Sequence, residues 1–367
     1  MPSRTATSLT RCVLILVGAA LATAASAKEY APAKADVIRA EGDPMNGVYV
    51  IANHMDEVTY STDPDGANRA RLKRKEVVEI DYDLRVVSTT SYLQALGQAS
   101  RGNWDKAAEG FLSSTDKARF EWVAVDALFR AAEAQAKLGK HEAAAETLEQ
   151  VYIRMPKQWR VIEAMNRRGE ILLAGGKFDQ ANKAFALLLS RASDFGRMCD
   201  PCEATAMRKG LFGQAMVARA REDWGTVASL LQRAIGHLKL PPADAHRGKA
   251  YQEQIAVYSQ TYLQLGHAQA ESGGTAEALK TYKHLRFQPV PAEYRSTALL
   301  CAAEQLDAKG KTMEAFDHAI MAGLVRGGTV RAEARRLANR LFNEHIETDA
   351  SLDLEIKRQY KDYVSRL

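Results

Sequence analysis

Two hydrophobic periods divide the chain. Between Ala35 and Tyr82 apolar residues alternate with mostly polar ones, at Val48/Val50, Val58/Tyr60 and Val78/Ile80/Tyr82, which is the spacing of strands with one buried face. The segments Asp43 to Gly47 and Asp63 to Gly66 each join proline, which presets one backbone angle, to glycine, which accepts a positive φ, so both read as turns. Three or four short strands with tight turns predict a small β-barrel or curled sheet. From Ser91 onward the apolar residues return at helical spacing, and the remainder reads as helices.

The helical part repeats itself. A glycine recurs every 37 residues at Gly102, Gly139 and Gly176, and again between Gly273 and Gly310. Each is followed by the same grammar: an aromatic or its substitute (Trp104, His141, Phe178), then an alanine (Ala107, Ala144, Ala181), then a large apolar residue four positions later (Phe111, Leu148, Phe185). Glycine ends a first helix in the left-handed conformation, alanine lets two helices approach closely, and the large residue fills the groove on the same face. Units after Gly273 (Ala278, Tyr282) and Gly310 (Ala315, Ala319) keep the pattern. The unit around Glu222 keeps the aromatic as Trp224 but replaces both glycine and alanine, with Val227 and Leu231 in the later positions. A small residue inside a first helix, Gly266, also permits tight packing, while Pro156, Pro289 and Pro291 stop second helices.

This grammar resembles the tetratricopeptide repeat family from about Tyr92 to Gly323. The resemblance implies a right-handed solenoid of antiparallel helix pairs, about six over 91–328, in which the first helix of each pair lines a concave groove. A longer step between Gly176 and Glu222 marks an insertion near 193–208, and 329–367 reads as capping helices. The stretch 28–90 holds the small β-domain and a linker. Its Asp36-Val37-Ile38 and Val78-Glu79-Ile80 strands are similar to those of SH3-like and Sm-like barrels. The fold expected is therefore mainly α: a helical solenoid preceded by a small β-barrel-like domain.

The first 27 residues are of another kind. Arg4 and Arg11 precede an apolar run from Cys12 to Ala24 that ends in Ala25-Ser26-Ala27, the layout of a secretory signal peptide. The run is shorter than the roughly 20 residues needed to span a bilayer, so cleavage after Ala27 is expected. It removes two arginines and lowers the net charge from +5 to +3, too little to imply a nucleic-acid partner. No integral membrane segment follows. The expected location is periplasmic or extracellular, where disulfides persist.

Candidate chemistry is sparse. The mature chain keeps Cys199, Cys202 and Cys301. The Cys199/Cys202 pair, in an expected loop, admits a redox role, but a thioredoxin-like pair needs a preceding strand and a helix start. Glu203 stands where c-type haem attachment needs histidine, and zinc needs two further ligands. The reading favoured by the compartment is a structural disulfide between Cys199 and Cys202, with Cys301 a packed small hydrophobe. The histidines show no metal-binding spacing, and no phosphate loop or nucleophile elbow occurs, so no catalytic residue, metal site or cofactor is assigned. The basic run from Arg69 to Lys75 reads as a charged hairpin edge that discourages strand-to-strand aggregation.

If the repeat register holds, the inward face of the first helices carries Phe129, Arg130, Asn166, Arg167, Phe212, Gln264 and His267. Aromatic and arginine side chains there suit a peptide or helix, although phenylalanine is as readily spent on sealing neighbouring repeats. The expected function is an exported scaffold that holds a protein or peptide partner, in an envelope assembly. The alternatives are a redox accessory or enzyme using Cys199/Cys202 and a cell-wall glycan-binding module.

Overall fold

The computed structural model describes residues 29–39, 41–83, 90–240 and 249–367; the expected signal peptide lies outside them. The chain opens with five antiparallel strands, β1 (Ala33–Arg39), β2 (Met45–Asn53), β3 (Glu57–Ser61), β4 (Arg69–Lys73) and β5 (Val77–Tyr82), in the order β4-β3-β2-β1-β5. Ala35, Val37, Val48, Val50, Val58 and Val77 form the core of this sheet. A single 3₁₀ turn, Arg74–Glu76, joins β4 to β5.

The expected barrel does not close. Closure requires both edge strands to present inward apolar side chains, yet β4 buries none of its five residues and β5 buries only Val77. The sheet spends its open end on the helices instead. Tyr82 stacks on Trp122 with ring centroids 4.9 Å apart, and Ala33 and Met55 join the core of the first repeats. Backbone bonds Ala31 N to Arg119 O (2.9 Å), Met55 N to Lys157 O (2.9 Å) and Trp159 N to Asn53 O (3.2 Å) lock the two parts together.

Two local expectations also shift. A register irregularity of β5 opposite Ile38/Arg39 turns Val77 into the core and leaves Val78 58% exposed, because a bulge inserts one residue and flips the faces beyond it. The turn after β1 uses Gly42, at φ +87°, whereas Gly47, at φ +68°, falls inside β2.

Helices then follow in pairs: α1 (Thr90–Ser100) with α2 (Trp104–Lys117), α3 (Glu121–Lys137) with α4 (His141–Arg154), and α5 (Val161–Ala174) with α6 (Phe178–Ser190). After a short α7 (Ala192–Met198) come α8 (Asp200–Ala220) with α9 (Trp224–Ile235), α10 (Lys249–Glu271) with α11 (Thr275–Phe287), and α12 (Ala292–Ala308) with α13 (Thr312–Leu324). The end is α14 (Arg331–Leu341), a π turn over Phe342–Ile346, and α15 (Leu354–Arg366). The sequence insertion is thus α7 together with the first turns of a 21-residue α8.

Every bend between paired helices has the same closure. Gly102, Gly139, Gly176, Gly273 and Gly310 lie at φ between +70° and +85°, and the N–H of the next residue donates to a carbonyl five residues back, as Lys140 does to Gln135 at 2.9 Å. This satisfies the carbonyls that a helix end leaves without a partner. Glu222 takes the same place in the α8–α9 bend at φ +59°, and Asp223 N reaches Ala218 O at 3.0 Å. The unit that reads as degenerate keeps its turn without the glycine. Ala107, Ala144, Ala181, Ala278 and Ala315 are wholly buried, as are Phe111, Leu148, Phe185 and Leu231 four residues after the alanine position of their units. Gly169 on α5 and Gly213 on α8 flank the Phe185 ring, which occupies the space a Cβ at either glycine would need.

Candidate functional site

The seven groove candidates all fall on first helices: Phe129 and Arg130 on α3, Asn166 and Arg167 on α5, Phe212 on α8, Gln264 and His267 on α10. Their surroundings differ. Phe129 is only 5% exposed and lies beneath the Arg160 guanidinium, 3.7 Å from its ring centroid, so it supports the face from below. Phe212 packs half-buried beside Ala215, Leu231 and Leu265 and also serves mainly as wall.

The polar candidates belong to a wider network. Asp126 accepts a hydrogen bond from Arg130 Nε and one from Tyr92 Oη, and Arg160 approaches its other oxygen at 3.8 Å. Burial first, and the Asp126 charge second, hold the Tyr92 phenol above its ordinary range. Arg160 grips Glu163 with two parallel bonds of 2.9 and 3.1 Å. Asn166 and Arg167 share Glu170, at 2.7 and 3.0 Å. Against this face α8 sets Lys209, whose ammonium is held below the lysine range by burial and the Arg208 charge, with Glu170 and Glu163 acting the other way. Charged side chains thus follow one another from Asp126 on α3, through Arg160, Glu163 and Glu170 at α5, to Lys209 on α8.

Farther along, Arg219 donates to Gln264 at 3.0 Å. His267 Nε2 lies 3.9 Å from Cys301 Sγ on α12, and its imidazolium is disfavoured by burial and by Arg219. Burial, with the Glu304 charge, pushes the Cys301 thiol up to about 12, which keeps it protonated and a poor nucleophile. Among the described residues, no three His, Cys, Asp or Glu side chains converge as a metal would require, and no helix is long and apolar enough to cross a membrane.

The sequence reading missed Asp126, Arg160, Glu163, Glu170, Lys209 and Arg219. Spacing signals some of them: Arg160/Glu163 and Arg167/Glu170 are i, i+3 pairs and Asp126/Arg130 is an i, i+4 pair, all neighbours on a helix face. Lys209 has no local signal, because its partners come from another helix. The Cys199/Cys202 pair, expected in a loop, instead sits at the α7–α8 corner, with Cys202 in the first turn of α8. Its Cα atoms are 5.3 Å apart, within the span of a disulfide.

The sequence model of the tetratricopeptide repeat matches residues 126–156. That segment is the α3–Gly139–α4 hairpin and its closing proline, the unit whose geometry recurs along the array. Residues 126–156 are thus a tetratricopeptide repeat. No protein of curated function matches this chain. Similar solved structures include MamA (15% identity, 61% of this chain and 94% of that one, TM-score 0.35). Others are BtubC from P. vanneervenii (14%, 72% and 98%, TM-score 0.44) and the TPR2AB domain of yeast Sti1 in complex with pHSP90 (14%, 68% and 96%, TM-score 0.28). The architecture is a solenoid of antiparallel helix pairs.

Proposed function

We propose that this tetratricopeptide repeat protein is an exported scaffold that holds a peptide or protein segment along its first-helix face, within an envelope assembly. The charged track from Asp126 through Arg160 and Glu170 to Lys209 carries this reading. Its pairs are partly exposed, and such pairs contribute only about 0–1 kcal/mol each, so an incoming carboxylate or amide can exchange with them at little cost. Their side chains are nonetheless held in place, which lowers the entropy lost on binding. Export is supported by the basic start, the apolar run Cys12 to Ala24 and Ala25-Ser26-Ala27. In that setting Cys199 and Cys202 form a disulfide that braces the α7–α8 corner.

The test places a photo-crosslinking amino acid at Arg130 or Arg167 and, as a control on a second helix, at Lys183, in the native host. Crosslinks to one defined protein from the first two sites and not from Lys183 are expected. Equal crosslinking from all three would refute the groove. N-terminal sequencing of the purified protein must begin at Lys28, and an intact Met1 start would remove the export step.

One observation favours a second reading. Cys199 and Cys202 stand at the start of a long helix, the placement that a thioredoxin-like pair needs. A redox accessory would show a reversible, strongly oxidising pair in reductant titration, and a structural brace would resist reduction.

A further inference from the structure

Two sequence features with no part in the groove, the basic run from Arg69 to Lys75 and the Cys199/Cys202 pair, form opposite walls of one cleft of about 420 Å³. Its apolar lining comes from Met55, Trp159 and Met198 together with the cysteine pair. Trp159 remains 39% exposed there, so part of its ring is open to an incoming side chain. Lys73, Arg74 and Lys75 provide the cations, and Asp56 and Asp200 are the acids that line it.

The cleft lies at the end of β4, the outer strand of the open sheet. Across β4 and the following turn the cations outnumber their acidic partners. Arg71 pairs with Glu57 at 3.4 Å, but Arg69 bonds to the carbonyl of Gly66, and Arg74 bonds to the carbonyl of Val77 and lies over one face of the Trp159 ring, 4.7 Å from its centroid, so neither has an acidic partner. Lys73 and Lys75 are exposed. A charged edge alone would suffice to prevent aggregation. An exposed tryptophan in a cleft at the end of that edge is not needed for that purpose.

We propose that the β4 edge and this cleft are a docking site for an extended acidic protein segment. The segment adds a strand beside Arg69–Lys73, sets its carboxylates against the basic run and seats one apolar side chain against Trp159. Strand addition satisfies the outward backbone groups of β4, which only another extended backbone can do along its length, and a cleft of this size takes a side chain rather than a folded surface. The site is separate from the first-helix groove and does not depend on it.

The test pans a randomised decapeptide display library on the mature full chain at about 50 mM salt, where screening is weak, with counter-selection on the Lys73→Glu/Lys75→Glu variant. Enrichment of acid-rich peptides with one aliphatic or aromatic residue is expected. A synthetic copy of the leading peptide should bind at least about tenfold more weakly to Lys73→Glu/Lys75→Glu and to Trp159→Leu, each checked for unchanged helicity by circular dichroism. It should also slow amide exchange within residues 69–73. The proposal fails if no acid-rich family emerges, if the variants bind equally, or if the β4 amides stay unprotected. It fails equally if phosphatidylglycerol vesicles bind the basic run while the peptides do not.

Discussion

Replacing Glu222 by glycine should stabilise the protein, and replacing Gly139 by alanine should destabilise it. Both residues occupy the left-handed position of a helix-pair bend, at φ +59° and +74°. A residue with a Cβ loses about 1–2 kcal/mol there, whereas glycine costs roughly 0.5–1 kcal/mol of extra chain entropy on folding. Glu222→Gly relieves the first and incurs the second, for a net gain of about 0.5–1 kcal/mol. The neighbouring cap, Asp223 accepting from Thr226 N at 3.1 Å, is untouched. Gly139→Ala runs the other way with little steric complication, since a Cβ there would meet no atom within 4 Å; its cost is backbone strain of about 1 kcal/mol after the entropy offset. Global melting is a blunt assay because repeat arrays need not unfold as one unit. Hydrogen exchange resolves the bend itself. Amides of α9 should exchange about two- to fivefold more slowly in Glu222→Gly, and amides of α4 faster by a similar factor in Gly139→Ala. Faster α9 exchange, or unchanged α4 exchange, would refute the claim that backbone conformation alone selects the residue at these bends.

Three further outcomes follow from packing and charge. Gly213→Ala should cost about 1–3 kcal/mol by forcing a methyl into the Phe185 ring, seen as a lower urea midpoint; a neutral result would mean that α6 and α8 are not so closely packed. Burial pushes the Glu121 carboxyl up to about 7 from 4.5, so the folded state holds this proton more tightly than the unfolded one. Stability should therefore be highest below pH 4.5 as far as this group is concerned, fall by about 3 kcal/mol as pH rises to 7, and stay level above that, with Glu121→Gln flattening the slope in urea titrations between pH 5 and 8. Mass mapping of the non-reduced mature protein should find Cys199 joined to Cys202 and Cys301 free; two free thiols, or a bond to Cys301, would overturn the brace.

The repeat was legible because its determinants are local. A left-handed bend, a close helix approach and a groove-filling side chain each fix one residue type at one offset, and Gly139, Ala144 and Leu148 display all three within ten positions. Glu222 hid one bend because the backbone tolerates a strained residue where neighbouring packing holds it, so the glycine signal is sufficient but not necessary. The strands were legible for the same local reason, but closure was not: it depends on what β4 and β5 meet in space. Val77 and Val78 are chemically interchangeable, and only a bulge opposite Ile38 decides which of them is buried. The groove candidates follow from register, while their partners Lys209 and Arg219 follow from helix-to-helix placement that no single segment encodes.

The open sheet and the solenoid explain each other. A repeat array exposes the apolar face of its first unit, and a terminal element must cover it for the array to stay soluble. Here β1, β5 and the turn after β2 provide that cover: Ala33, Met55 and Tyr82 meet Trp122 and the first helices, with Asn53, Gln158 and Glu121 among the residues lining a small gap of about 10 Å³ between them. Apolar surface used in this way is not available to close a barrel, so the sheet ends in a free outer strand. That strand is β4, and its five residues are exposed or only partly covered and rich in cations. Capping the array and offering a charged edge are then two consequences of one choice of packing. Variants that loosen the cap, such as Trp122→Ala, should therefore also disorder the β4 edge, measurable as faster exchange of the residue 69–73 amides. If β4 exchange stayed unchanged while the first repeats opened, the sheet would fold independently of the solenoid and the coupling argued here would be wrong.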